Sequence, residues 1–171
     1  MSSELIVRPT TRSDVSVLFS LIKALAEYEK LSHAVTGTEA ALEEDLFGNP
    51  TYATAIVAEL AGEAVGFALF FHNYSTFLTQ KGIYLEDIFV LPEYRGQGIG
   101  KALLTYVAKL AVERGCGRLE WSVLDWNEPA IAFYHRMGAS MLEQWRICRV
   151  EGNSLIDLAQ LGLNTYSKTD D

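Results

Sequence analysis

Apolar residues change their spacing several times along this chain, and each change marks a boundary between elements. Leu5 to Arg8 reads as a first strand. Thr11-x-x-Asp14 then opens a helix in the manner of a capping box, with Val15, Leu18, Phe19, Ile22, Leu25 and Ala26 on one stripe to about Glu29. Thr38 to Phe47 forms a second helix, closed by Gly48-Asn49-Pro50. Two strands follow, Ala53 to Leu60 and Ala64 to Phe71, joined as a hairpin at Ala61-Gly62-Glu63. Asn73 to Gly82 is polar enough to read as a loop before a central strand, Tyr84 to Leu91. A helix from near Lys101 carries Leu103, Leu104, Val107, Leu110 and Ala111 at helical spacing and stops at Gly115. Leu119 to Leu124 is a strand, and Asn127 and Pro129 open a short helix that contains Tyr134 and ends at Gly138. Met141 to Val150 and Ser154 to Leu158 read as closing strands before a polar tail.

Strand pairs combined with a strand–helix–strand crossover predict an α/β (α+β) fold: a mixed, mostly antiparallel sheet with a parallel central pair, flanked by helices. No repeat or linker divides the 171 residues, so one domain is expected, with a core from about 4 to 158. An apolar content of 49% is ordinary for a soluble protein, and no run of eighteen apolar residues offers a membrane span. Met1-Ser2-Ser3-Glu4 lacks the basic and apolar regions of a signal peptide, so a cytoplasmic location is expected. Cys116 and Cys148, without a CxxC or a histidine cluster, suit reduced thiols better than a disulfide or metal site. A net charge of −8 argues against a nucleic-acid partner and favours cationic ligands, although it also serves solubility alone.

Arg95-Gly96-Gln97-Gly98-Ile99-Gly100 is the chemically informative stretch, lying between the central strand and the following helix. Alternate glycines remove every second Cβ, so backbone N–H groups can converge on an anion beside the positive end of the helix dipole, with Arg95 and Lys101 adding charge. A nucleoside-triphosphate loop would need glycine at Arg95 and a hydroxyl at Ala102, and a dinucleotide fingerprint would need glycine at Lys101 or Leu103. Both fail, which leaves another phosphate ligand or a glycine-rich connection with no ligand.

These residues resemble a family. Arg-Gly-x-Gly-Ile-Gly after a strand ending in Leu-Pro-Glu-Tyr is similar to the acetyl-coenzyme A pyrophosphate loop of the GNAT N-acetyltransferase superfamily. Tyr84-Leu85-Glu86-Asp87-Ile88-Phe89-Val90 before it, and Leu124-Asp125-Trp126-Asn127-Glu128-Pro129, Phe133-Tyr134 and Gly138-Ala139 after it, are similar to the diamine (spermidine/spermine) acetyltransferases. The likeness runs from about Val7 to about Leu158. It implies a GNAT fold whose two central strands splay apart to admit acetyl-coenzyme A as co-substrate, with no metal.

Acetyl transfer to an amine must deprotonate the nucleophile, stabilise charge on the thioester oxygen and protonate the departing thiolate. Exposing the lone pair of an alkylammonium of pKa about 10.4 at pH 7 costs on the order of 4.6 kcal/mol. The resemblance assigns a base, direct or through water, to Glu86 and a proton donor to the thiolate to Tyr134. Solvated strand residue and core aromatic are their plain alternatives. Gly96, Gln97, Gly98, Ile99, Gly100 and Lys101, with Arg95, would bind the pyrophosphate. Ile88, Phe89 and Val90 would pair with the pantetheine amides and supply the oxyanion donor. Asn127, with Pro129 and Ala130 on the same helix start, would hold the pantetheine arm.

On the acceptor side, Tyr28-Glu29 matches a Tyr-Glu pair that lines the amine channel in the resembling enzymes, and Asp87 stands next to Glu86. The long-polyamine enzymes have an acidic residue and a tryptophan before the central strand, where this chain has Tyr74-Ser75-Thr76-Phe77. With Ser75 and Phe77 at the acceptor end, the chain is similar to the diamine acetyltransferase 2 branch, which prefers thialysine and related side-chain amines. Acetylation of a protein or antibiotic amine, and a non-catalytic acyl-coenzyme A-binding module, are the competing readings. The resemblance also implies a homodimer, with Leu142, Trp145 and Ile147 available to an interface.

Overall fold

The computed structural model describes residues 4–162, so the polar tail past Gly162 and the first three residues lie outside the described chain. Five strands form one sheet in the order β1-β2-β3-β4-β5: β1 Leu5–Pro9, β2 Thr54–Leu60, β3 Glu63–Ser75, β4 Gln80–Val90 and β5 Leu119–Trp121. The first four pair antiparallel and β5 joins β4 in parallel, as the element order predicts. Helices α1 (Val15–Tyr28), α2 (Glu39–Phe47), α3 (Ile99–Glu113), α4 (Glu128–Arg136) and α5 (Asn153–Gln160) complete the regular structure.

Alternation along the strands sorts the core into two layers. Ala55, Val57, Phe67 and Phe89 face Leu18 and Leu21 of α1 and Leu46 of α2. The intervening positions, such as Ile56, Ala58 and Ala68, point to the other side, where α3 buries Ile99, Leu103, Leu104, Val107 and Ala111. Gly66 on β3 permits that approach, because a Cβ there would meet Phe89 O at 2.7 Å and Leu103 Cδ1 at 3.4 Å. Fully buried Phe67, Leu18 and Leu103 each stabilise the fold by about 1.5–3 kcal/mol, and Phe67→Ala would cost about 3–5 kcal/mol.

Local chemistry fixes the edges of this core. Thr11 and Asp14 form the expected capping box, and Arg8 clasps both carboxylate oxygens of Asp14 at 2.8 and 2.9 Å while also binding Glu59. β1, β2 and the start of α1 are thereby tied at one point. Thr38 caps α2 by accepting from Ala41 N at 3.2 Å. Ala61 and Gly62, with φ of 54° and 84°, make the two-residue turn between β2 and β3.

Three expectations are corrected. Asn73 to Gly82 is not a loop, because Asn73↔Gly82, Tyr74↔Lys81 and Ser75↔Gln80 continue the β3–β4 ladder and leave only Thr76 to Thr79 as the turn. Polarity there reflects an exposed hairpin rather than absent structure. Met141 to Val150 has no strand in it, since Trp145 and Ile147 are 77% and 71% exposed and no ladder supplies a partner among the described residues. Ser154 to Leu158 is helical: Leu155, Ile156, Leu158 and Ala159 recur at i, i+1, i+3 and i+4, a helical spacing rather than an alternating one. The described residues fall into two compact units that meet between Ile131 and Ala132, inside α4.

Candidate functional site

β4 changes character at Glu86. Leu69 pairs with Asp87 and Phe70 with Leu85, so Glu86 is an extra residue with no partner on β3. Such a bulge bends the strand and interrupts its alternation. On the opposite edge, the ladder to β5 holds only Ile83↔Leu119, Tyr84↔Glu120 and Leu85↔Trp121, and it stops where the bulge begins. Ile88, Phe89 and Val90 therefore continue beyond the parallel pairing with that edge unpaired to β5. This is the parting of central strands that the resemblance implies, and the bulge is its physical cause. It also explains why β5 ends at Trp121 rather than at Leu124.

The glycine turn follows directly. Gly96 and Gly98 take φ of 76° and 83°, and a Cβ on either would point into open space, so backbone conformation rather than crowding demands glycine. α3 starts at Ile99, two residues earlier than its apolar spacing indicates, which puts Gly100 and Lys101 in the first turn. Its first ladder bond runs from Ala102 N to Gly98 O at 2.9 Å. The N–H groups of Ile99, Gly100 and Lys101 precede that bond, and Gly98 has no side chain with which to cap them. A phosphate fits such a set of donors. Gln97 and Lys101 are exposed beside it.

Tyr28, at the end of α1, is where several predicted residues meet. Its ring lies 6.3 Å from those of both Phe89 and Trp126, and its hydroxyl donates to Asn127 Oδ1 at 3.4 Å. Asn127 is 8% exposed, and the same Oδ1 accepts from Ala130 N at 3.4 Å, capping α4 just after Pro129. Arg95 lays its guanidinium over the Tyr28 ring at 4.3 Å and over Phe89 at 5.5 Å, while its Nε donates to Val90 O at 2.9 Å. Sequence spacing gives Arg95 a charge near a phosphate; it gives no hint that the side chain folds back onto two rings. Trp126 likewise escapes prediction, though its place between Asp125 and the capping Asn127 was the available signal.

Beside this cluster lies an acidic corner. Glu86 is exposed and Asp87 half-buried. Burial raises the Asp87 carboxyl to about 7, helped by the negative charges of Glu86 and Glu29. Burial also raises Glu29. Among the described residues no Lys, Arg or His forms an ion pair with any of the three.

Two acceptor-side residues are not brought there. Ser75 is 4% exposed and its Oγ accepts from Leu78 N at 3.2 Å, closing the hairpin turn, while Phe77 is 98% exposed at its tip. Ser75 pairs with Gln80, six residues before Glu86, which is about 20 Å along the strand. The continued ladder, absent from the sequence reading, carries them away.

Tyr134 lies past the unit boundary on the second half of α4. It is 7% exposed, with its ring 5.4 Å from that of Phe133, and its carbonyl accepts from Ala139 N at 3.0 Å where Gly138 turns the chain at φ 89°. No group of three or more His, Cys, Asp or Glu among the described residues is arranged to hold a metal. No described helix is long and apolar enough to cross a membrane.

The chain is similar to known proteins. The sequence profile of the Acetyltransferase (GNAT) family matches residues 20–139. A thialysine N-epsilon-acetyltransferase of Bos taurus is 42% identical over 164 residues, covering 90% of this chain and 96% of the relative. An L-ornithine N5-acetyltransferase of Arabidopsis thaliana is 34% identical, covering 92% and 89%. Among solved structures, an integron cassette protein from the mobile metagenome of V. cholerae superposes with a TM-score of 0.76 at 26% identity, covering 94% of this chain and 99% of that one. The bulged β4, the glycine turn and the capped start of α4 all fall within the matched span, and the chain belongs to the GNAT family as an acyl-coenzyme A-dependent acetyltransferase.

Proposed function

We propose that the protein transfers the acetyl group of acetyl-coenzyme A directly to a primary amine of a small molecule, with thialysine-like amino acids preferred to long polyamines. The acidic corner of Glu29, Glu86 and Asp87 beside the unpaired edge of β4 carries this reading. A protonated amine would offset the repulsion among three carboxyls and restore ionised Asp87, whereas a neutral acceptor would do neither. The names of the bovine and plant relatives support an amino-acid side-chain amine.

In this mechanism Glu29 and Asp87 hold the ammonium while Glu86, directly or through a water molecule, takes its proton. The coenzyme supplies an activated thioester. N–H groups at Ile88, Phe89 and Val90 receive its amide arm and the charge that develops on its carbonyl oxygen, and Asn127, Pro129 and Ala130 steady the arm. Donors from Gly96 to Lys101 take the pyrophosphate. Tyr134, whose phenol O–H can donate, would give its proton to the leaving thiolate, so Tyr134→Phe should lower kcat about 10²- to 10⁴-fold with coenzyme affinity kept. Wild-type turnover in that variant would remove Tyr134 from the role.

A cytoplasmic homodimer completes the reading, supported by the exposed Leu142, Trp145 and Ile147, which a second copy would cover. Acetylation of thialysine, lysine, putrescine and spermidine, followed by thiol release, tests the acceptor. Highest kcat/KM for thialysine or lysine is expected. A clear preference for spermidine would overturn the small-acceptor reading, and no turnover with any amine would favour a binding module.

A further inference from the structure

The sheet face that meets α1 is covered only in part. Phe67 and Phe89 pair on it and are buried, and Leu69, which pairs with Asp87, still packs against that core. Past the bulge the same face continues with Phe71↔Tyr84 and Asn73↔Gly82, and with Glu120 of β5, the partner of Tyr84. Because Glu86 is the extra residue, Asp87 and Tyr84 fall on one face although three positions separate them. Phe71, Asn73, Tyr84 and Glu120 are only half-buried, whereas Phe70, Ile83 and Leu85 on the opposite face are buried. An open surface therefore runs along the sheet from Asp87.

Its polar groups carry both signs. Arg118 Nε lies 2.8 Å from Glu120 Oε2, and Asn73 Nδ2 donates to the same oxygen at 2.8 Å. The Tyr84 and Ser122 hydroxyls share a hydrogen bond of 2.7 Å, and the Phe71 and Tyr84 rings lie 5.4 Å apart. The network is incomplete, since Asn73 Oδ1 and Arg118 Nε are buried without a hydrogen bond: the ion pair of Arg118 lacks the alignment of one. Among the described residues no hydrogen bond uses Glu120 Oε1 or the terminal nitrogens of Arg118.

We propose that this face is the distal half of the acceptor site, where Arg118 receives the α-carboxylate and Glu120 the α-ammonium of an amino acid whose side-chain amine lies at Asp87. A cation and an anion side by side match the two charges of that headgroup, and a polyamine has no anion to offer Arg118. Tyr84 and Asp87 are at most about 10 Å apart along β4. An extended lysine or thialysine side chain spans about 6 Å over five bonds, and a hydrogen bond of about 3 Å at each end covers the rest. The Phe71 and Tyr84 rings would floor its path, where a thioether makes a favourable sulfur–aromatic contact.

This inference rests on the amine-acceptor reading, and the acceptors compared let the two fail separately. Lysine is set against cadaverine, which lacks the α-carboxylate, and 6-aminohexanoate, which lacks the α-amine. No turnover of these or of thialysine would defeat the acceptor reading itself. Equal kcat/KM for all three would defeat the distal subsite alone. Each missing group should lower kcat/KM about three- to thirtyfold, through KM. Arg118→Gln should raise KM for lysine by a similar factor without raising it for cadaverine, and Glu120→Gln should do so without raising it for 6-aminohexanoate. Coenzyme A Kd should stay at its wild-type value in both variants. An unchanged lysine KM, or equal losses on all three acceptors, would overturn the proposal, and the wild-type comparison decides even where a variant is too unstable to assay.

Discussion

Asp14 and Asp87 are both shielded aspartates on the same unit, and their carboxyls move in opposite directions. Hydrogen bonds from Arg8 hold Asp14 well below the usual carboxylate range against the cost of its burial, with Thr11 adding further bonds. Asp87 has no such cation and two acidic neighbours, and burial carries it up to about 7. The Asp14 corner is complete as folded: every charge has its partner, and the result is a fixed junction of β1, β2 and α1. The Asp87 corner has no cation among the described residues, and the proposed acceptor ammonium would supply one. Comparing them sets a charge that maintains the fold against one proposed to bind substrate.

That distinction breaks if the two corners respond alike to substitution. The largest expected effect is on turnover: Glu86→Gln should lower kcat/KM for the amine about 10²- to 10⁴-fold, most severely at low pH, with the unfolding midpoint in urea nearly unchanged. An unaltered pH profile would take Glu86 out of the reaction. Asp14→Asn should do the reverse, costing about 2–4 kcal/mol in urea unfolding while the folded protein keeps its kcat. Because the Asp14 carboxyl is depressed in the folded state, its contribution is present above its unfolded value near 3.8 and is lost as pH falls below that.

Asp87→Asn carries the smaller and more diagnostic stability effect. A carboxyl raised in the folded state binds its proton more tightly there than in the unfolded chain. Wild-type stability is therefore penalised progressively as pH rises from about 3.8 to about 7, and the penalty stays constant above that. The variant should gain on the order of 1 kcal/mol at pH 8, after allowance for solvent screening, and nothing at pH 4. An equal change at both pH values would mean that Asp87 does not titrate differently in the two states.

The difference in legibility between the two corners has a physical origin. Thr11-x-x-Asp14 is a local motif, its partners lie within a few residues, and the capping box formed as read. The Ala61-Gly62 hairpin turn, the glycine turn and the Asn127 cap were equally local, because each is written in spacing or in a residue type that few conformations accept. The bulge at Glu86 was not legible: it is a mismatch between two strands, and only pairing reveals which residue is extra. The same non-local ladder turned Asn73 to Gly82 from loop to hairpin and moved Ser75 and Phe77 away from the carboxylates. The Arg95 side chain needed Tyr28 from a helix sixty-seven positions earlier, and no window of sequence shows that stack. Leu155, Ile156 and Leu158 already break alternation, but a window of five residues is too short to display the helical period that Ala159 completes.

The central claim is that the acidic corner is reserved for a cationic acceptor, and the titration of Asp87 tests it most directly. Carboxyl carbon shifts of Asp87, followed by NMR from pH 4 to pH 9, should give a midpoint near 7 in the free protein. With saturating thialysine and coenzyme A the midpoint should fall by about one unit or more, as the bound ammonium favours the ionised form. A midpoint near 4 in the free protein, or one that stays near 7 when the amine is bound, would contradict the account.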